Sequence, residues 1–251
     1  FEWVYLAAPD STIDGVNVYK ARVRMGEYLA DQIKAAGIKI DSVIPVPDTG
    51  RASATGLADK LKARYREGFV KNRYIGRTFI MPGQTMRKRS LKFKLHPIEL
   101  EFKGKNVLLV DDSIVRGNTS KKIIELVREA GAKKVYFASS SPPIIGPAPY
   151  GIDLPTTTEL VAGDRSIEEV RKFIGADGLF YSKIEDMHRA ITYGNKEITK
   201  FSEGCFTKKY PTPEITPKLL RELGCSRNDS RSDSDDEEDT DGDGTKTMSL
   251  V

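Results

Sequence analysis

Apolar positions along this chain follow two alternating periods. Val18, Met25, Leu29 and Ile33 stand seven and four residues apart, which marks one face of a helix that Gly37 closes. Ser42 to Val46 is a short apolar run interrupted by Pro45 and Pro47, and predicts a strand entering a loop. Ala52 to Arg66 predicts a second helix, and Thr78 to Met81 a short strand. Within Lys105 to Val110, the run Val107-Leu108-Leu109-Val110 is apolar at every position, as in a parallel strand covered on both faces. Thr119 to Ala130 predicts a helix with Ile123, Ile124 and Val127 turned inward and Gly131 as its stop. Val135 to Ala138 and Gly178 to Tyr181 predict further strands. Ser166-Ile167-Glu168-Glu169 and Ser182-Lys183-Ile184-Glu185 each fit a capping box at a helix start. Phe1 to Leu6 also predicts a strand, and an opening inside an element without methionine suggests a piece of something longer. Strand and helix in alternation predict a doubly wound α/β domain on a parallel sheet, with no internal repeat.

Length and composition set bounds on this picture. The chain has 251 residues, 39% hydrophobic and 30% charged. That suits one large domain with or without extensions. No apolar window of about 18 residues argues for a transmembrane helix, and no basic-then-apolar leader argues for secretion. Two cysteines, Cys205 and Cys225, build neither a disulfide framework nor a zinc site, which favours a reducing, cytoplasmic setting. The net charge of +4 hides a division. From Ser226 onward three basic and nine acidic residues give −6, leaving 37 basic against 27 acidic residues, or +10, in the body. A basic body suits a polyanionic partner, either nucleic acid or a phosphorylated small molecule. Residues 1–225 are therefore expected to form the domain, and 226–251 a disordered acidic tail. The stretch Lys71 to Lys94 carries eight basic residues and no acid around a loop-like Pro82-Gly83-Gln84-Thr85.

The chemistry concentrates in Val107 to Ser120. A buried strand ends in Asp111-Asp112; Ser113-Ile114-Val115-Arg116-Gly117-Asn118 follows, and a helix begins at Thr119-Ser120. Ligands of open α/β sheets sit at the carboxyl ends of strands. A helix start presents unpaired N–H groups and the positive end of a dipole, which suits phosphate. Gly117 permits close backbone approach. Paired carboxylates accept from neighbouring diol hydroxyls or help hold Mg²⁺. Together these describe a sugar-phosphate site. An Asp-Asp pair can also merely cap a turn. Strand-Asp-Asp-Ser is also similar to the acidic pocket of a receiver domain. A receiver needs a phospho-acceptor Asp ending a later strand, and the nearest candidate, Asp153, lies in a proline-rich loop.

This stretch resembles the phosphoribosylpyrophosphate (PRPP) signature of type I phosphoribosyltransferases. In the form Asp111-Asp112-Ser113-Ile114-Val115-Arg116-Gly117 it is similar to the amidophosphoribosyltransferase family. Further landmarks are Pro9-Asp10-Ser11 with Asp14-Gly15, Ile44 to Gly50, Phe79-Ile80 leading to Gln84 and Arg87, Ser140-Ser141-Pro142-Pro143, Tyr150 to Asp153, and Phe206-Thr207 with Tyr210-Pro211-Thr212. The resemblance covers residues 1 to about 215. It implies a parallel-sheet type I phosphoribosyltransferase fold. It also implies the formation of 5-phosphoribosylamine from PRPP at the first step of purine synthesis, by an inverting, oxocarbenium-like displacement at C1. Asp111 and Asp112 would meet the ribose hydroxyls and Mg²⁺. Ser113, Ile114, Val115, Arg116, Gly117, Asn118, Thr119 and Ser120 would hold the 5-phosphate. Thr49, with Gly50, would sit by the pyrophosphate and the metal. Gln84, Arg87, Lys88 and Lys94 would belong to a flexible basic loop closing over PRPP. Read alone, that segment could be a solvated loop or a nucleic-acid patch, although Phe79 and Phe93 supply little stacking.

The chain departs from the family at several points. Nothing in it matches the glutaminase half, so it is expected to use ammonia rather than glutamine. Ala148 and Ser202 stand where iron–sulfur members carry cysteines, leaving Cys205, and no cluster is expected. Ala8 replaces a common arginine and Asn118 a usual threonine. His96 and His188 read as surface or structural residues. Ser230, Ser232 and Ser234 suit an acidophilic kinase, though the tail can simply aid solubility. The expected partners are PRPP, ammonia, purine nucleotide inhibitors and further copies of the chain, without nucleic acid or membrane. Two alternatives are a PRPP- or nucleotide-sensing module of the same fold and a nucleic-acid-binding protein using the basic body.

Overall fold

The computed structural model describes residues 1–71, 95–152, 154, 156–216 and 218–220. A hairpin of β1 (Thr12–Ile13) and β2 (Val16–Asn17) leads into helix α1 (Val18–Ala35), β3 (Ser42–Pro45) and α2 (Arg51–Leu61). Next come β4 (Arg64–Tyr65), β5 (Phe69–Lys71), β6 (Leu95–Pro97) and the short α3 (Glu99–Phe102). The chain continues through β7 (Asn106–Asp111), α4 (Asn118–Glu129), β8 (Lys134–Ser139), α5 (Ile167–Ile174), β9 (Gly178–Tyr181), α6 (Ile184–Thr192) and α7 (Gly204–Thr207). The central sheet has the order β4-β3-β7-β8-β9, and every pairing in it is parallel. The expected α/β parallel-sheet fold is what the chain adopts.

Strand β7 lies at the centre, and its four apolar residues are fully buried. Val107 and Leu109 join Ile123, Ile124, Val127, Val170 and Ile174 from α4 and α5 on one face. Leu108 and Val110 join Leu29, Ile33, Ala54 and Leu57 from α1 and α2 on the other. A strand apolar at every position is thus explained by two covered faces. A third apolar cluster brings Phe1, Trp3 and Val4 against Met187, Ile191 and Phe206.

The structure corrects three expectations. Residues Glu2–Leu6 form a π-helical turn, not a strand. The reason is Arg22, whose guanidinium donates to the carbonyls of both Trp3 (2.7 Å) and Ala7 (2.8 Å). An extended chain would hold those carbonyls about 13 Å apart, beyond one guanidinium's reach. The helix expected over Ala52 to Arg66 ends at Leu61, with Lys62 at φ 55°. Beyond it, Arg64 and Tyr65 pair with Ser42 and Val43, because the edge of β3 offers backbone partners that a longer helix would forgo. Ser182 caps no helix; its N–H extends the ladder by donating to Ser139, and Lys183 becomes the cap residue. Ser166 does form the expected capping box with Glu169. Asp14 and Gly15, both at positive φ, make the tight turn joining β1 and β2. The strand expected at Thr78 to Met81 lies outside the described residues.

Leu109→Ala removes a fully buried side chain from the central strand. It should cost about 2–5 kcal/mol in chemical denaturation. Leu100→Ala, at a position 80% exposed, should stay within roughly 0.5 kcal/mol of the parent.

Candidate active site

The carboxyl ends of β3 and β7 carry the site. After β3, the Val46 N–H donates to the Val110 carbonyl at 2.8 Å, and the Gly50 N–H returns to the Val46 carbonyl at 3.2 Å. This tight loop stands directly against the end of β7. A Cβ added at Gly50 would lie 2.3 Å from the Val110 oxygen and 2.9 Å from that of Val46, so only glycine fits there. The result places Thr49 over the carboxylate pair, where its hydroxyl donates to Asp112 Oδ2. Ser113 Oγ donates to Asp112 Oδ1 at 2.5 Å, and the Asp112 N–H donates to Asp111 Oδ1 at 2.9 Å. Behind them, Ser140 and Ser141 N–H groups bond the Asp111 and Asp112 carbonyls at 3.0 and 2.9 Å, fixing the strand end.

Both acids are held in unfavourable surroundings. Burial first, then the charge of Asp112, pushes the Asp111 carboxyl well above the ordinary range. Burial also raises Asp112, against hydrogen bonds from Ser113 and Thr49 and the positive charge of Arg22. Arg22, 2% exposed, is the residue that the sequence reading missed. Its position was nonetheless marked, since it falls between Val18 and Met25 on the buried face of α1. Asp48 shows the opposite balance. Lys71 Nζ at 2.6 Å holds its carboxyl below the ordinary range, with Arg51 at 2.8 Å adding to the effect and partial burial opposing it.

From Ser113 the chain turns into α4. Ile114 is buried in the core, so it can offer a ligand only backbone atoms. Val115 packs into the third cluster, and its carbonyl accepts from the Val161 N–H at 2.9 Å. Gly117, at φ 73°, sits beneath Val161 and Phe173, whose atoms would stand 3.0 and 3.1 Å from an added Cβ. No side chain caps α4, which leaves the N–H groups of its first turn, Asn118, Thr119 and Ser120, without intrahelical partners. Asn118 and Thr119 are exposed and Ser120 is buried. The Arg116 side chain is turned aside, with Nη2 3.0 Å and Nε 3.2 Å from Glu159. Thr49, Gly50, Asp111, Asp112 and Ser113 are therefore brought together, and the uncapped start of α4 follows directly. Gln84, Arg87, Lys88 and Lys94 lie outside the described residues. The ends of their segment are described: Lys71 pairs with Leu95 across β5 and β6, and Lys71 reaches Asp48, the neighbour of Thr49.

Residues 17–141 match the phosphoribosyl transferase domain family. Over 232 residues the chain is 54% identical to the amidophosphoribosyltransferase of Pseudomonas aeruginosa, covering 92% of this chain and 46% of that protein. Its identity to the Saccharomyces cerevisiae amidophosphoribosyltransferase is 52% over 214 residues, covering 84% of this chain and 42% of the yeast protein. The chain belongs to the amidophosphoribosyltransferases, of which it carries the phosphoribosyltransferase half. It spans about half the length of the curated relatives it matches. Among solved structures, glutamine PRPP amidotransferase from B. subtilis complexed with ADP and GMP is 41% identical, with a TM-score of 0.75, covering 86% of this chain and 47% of that one. An allosteric regulatory enzyme of purine biosynthesis is likewise 41% identical, with a TM-score of 0.78, covering 89% of this chain and 48% of that one.

In this phosphoribosyltransferase half, Ala148, Ser202 and Cys205 line one pocket of about 180 Å³ with Tyr150 and Tyr210. Burial pushes the Cys205 thiol up. His188 stacks on Phe201 (ring centroids 4.3 Å apart) with Nε2 2.8 Å from Glu203, a structural placement. Among the described residues no helix is long and apolar enough to cross a membrane.

Two outcomes follow from this geometry. Gly50→Ala forces the loop off the end of β7 and should lower stability by about 1–3 kcal/mol in a denaturant titration. Asp111 binds its proton more tightly folded than unfolded, so its contribution to stability is present in acid and lost as pH rises. Asp111→Asn should therefore raise the melting temperature at pH near 7 without divalent metal, and the gain should vanish on acidification below the ordinary carboxylate range.

Proposed function

We propose that these 251 residues carry out the phosphoribosyl-transfer step of an amidophosphoribosyltransferase. Ammonia attacks C1 of PRPP; the new C1–N bond forms as the C1–O bond to pyrophosphate breaks, and ammonia gives up a proton. The products are 5-phosphoribosylamine and pyrophosphate. The observation that carries this reading is the convergence of Thr49, the Asp111–Asp112 pair and the uncapped start of α4 at adjacent strand ends. The carboxylates suit the ribose hydroxyls, which can donate to them. The segment from Ser113 to Ser120, with Gly117 allowing close approach, suits the 5-phosphate. For Arg116 to join it, the ion pair with Glu159 must open.

Mg²⁺ fits the donor set, since Asp111, Asp112 and Thr49 offer hard oxygen ligands and this ion is commonly held by one or two carboxylates plus substrate phosphates. When bound, it supplies charge neutralisation for pyrophosphate. Gln84, Arg87, Lys88 and Lys94 would close over the same group. Support comes from the β5–β6 ladder, which brings the two ends of their segment together, with Lys71 reaching Asp48. Residues 1–225 form the catalytic domain and 226–251 an acidic tail in this reading. Ammonia is the nucleophile of this step whatever its source, and the chain holds no iron–sulfur cluster in this reading, Cys205 being the lone thiol at the matched positions. It is cytoplasmic and oligomeric and answers to purine nucleotides, in keeping with the ADP and GMP held by the B. subtilis enzyme.

Incubating the chain with PRPP, Mg²⁺ and ammonium at mildly alkaline pH should release pyrophosphate. The Asp111→Asn/Asp112→Asn variant should lower that rate about 100-fold or more. Saturable PRPP binding without release would favour a sensing module instead. Tight, steeply salt-dependent nucleic-acid binding with no need of Mg²⁺ would overturn the reading.

A further inference from the structure

At the opposite end of the sheet lies a second polar cavity of about 460 Å³. It is built at the amino ends of β3, β4 and β7 and from the residues that precede them and β8. Strand β7 separates it from the carboxylate pair by roughly 17 Å. Five cationic side chains line it, Lys39, Arg64, Arg66, Lys105 and Lys133, against the single acid Asp41. Glu101 engages two of them, at 3.3 Å from Lys105 and 3.7 Å from Arg66. Lys39, Arg64 and Lys133 form no ion pair among the described residues. Asp41 is itself occupied, accepting the Asn106 N–H at 2.8 Å.

Two polar atoms of the lining residues are unanswered, closed off behind the cavity wall. Ser42, 2% exposed, lines the cavity, and its Oγ has no hydrogen-bond partner. The same is true of Asn106 Oδ1 at the start of the neighbouring strand. Buried polar groups without partners are rare and call for one. A serine hydroxyl can donate, and so can an asparagine amide when its O and N are exchanged. The lining has no aromatic or aliphatic side chain. No aromatic ring is there to stack a nucleobase, and no apolar side chain to receive one. Its size is within the range of small-molecule sites, and its charge favours an anion.

We propose that this cavity is a binding site for a compact oligophosphate, held by Lys39, Arg64 and Lys133 in front of Ser42 and Asn106, and separate from the PRPP site. The probe is inorganic tripolyphosphate without Mg²⁺, followed by amide NMR of the full chain. Saturable shifts should centre on Ser42, Lys105 and Asn106, with a midpoint below roughly 1 mM. Amides from Ser113 to Ser120 report any occupancy of the other site separately. Lys39→Ala/Arg64→Ala/Lys133→Ala removes exposed side chains only, and its fold is checked by far-UV circular dichroism. It should weaken this binding about tenfold or more and leave pyrophosphate release from PRPP unchanged. ADP should bind the cavity no more tightly than pyrophosphate, because the lining offers the base no aromatic ring or apolar wall. The proposal fails if the three amides do not saturate, if sodium chloride of equal ionic strength reproduces the shifts, or if the triple variant binds as the parent does. Tighter binding of ADP than pyrophosphate at these amides would also overturn the ligand class.

Discussion

The Val110 carbonyl is the point on which the site is assembled. It accepts the Val46 N–H, and it lies so close to Gly50 that no side chain could be admitted there. That contact seats the loop after β3 on the end of β7. Thr49 then reaches Asp112 without further adjustment. The position of Val110 is itself secured by the two covered faces of β7, which leave the strand no freedom to slide. Core packing and site geometry are thus one problem: a shift of the strand would separate the hydroxyl from the carboxylate.

The second constraint is electrostatic. Two adjacent carboxyl groups at a buried strand end are costly, and three features of the chain moderate the cost for Asp112. Thr49 and Ser113 donate to it, and Arg22 contributes a positive charge from the interior. Asp111 receives less help, a single backbone N–H against its neighbour's charge. Arg22 also curls the amino-terminal segment by taking the Trp3 and Ala7 carbonyls, so one guanidinium organises that turn while its charge favours the acid pair. A pair held this way is poised to gain from a cation or from hydroxyl donors.

Much of the sheet was legible, at β3 and β7 because these strands are buried on both faces. The strand predicted from Gly178 to Tyr181 is the one observed, and those at Val107 and Val135 differ only at their ends. The Asp111–Ser120 turn was legible for a different reason: an apolar run ending in two acids, then a glycine and a helix start, stands in consecutive order. What failed was local pattern without a partner. Phe1 to Leu6 has strand-like residues but no strand to pair with, and Arg22 decides its shape instead. Arg64 and Tyr65 continue a helical pattern but are taken by the open edge of β3.

By itself, then, the amino-acid order determined the alternating elements, the buried central strand and the twin-acid turn with its glycine. Each of these depends on neighbours a few residues away. The tertiary structure alone decided that Thr49 donates to Asp112 across 63 positions, that Arg22 lies buried with its charge acting on that acid, that Glu159 holds Arg116, and that Lys39, Arg64 and Lys133 share one cavity. Such pairings join segments far apart in the chain, and only the folding of parallel strands onto a common sheet brings their ends together.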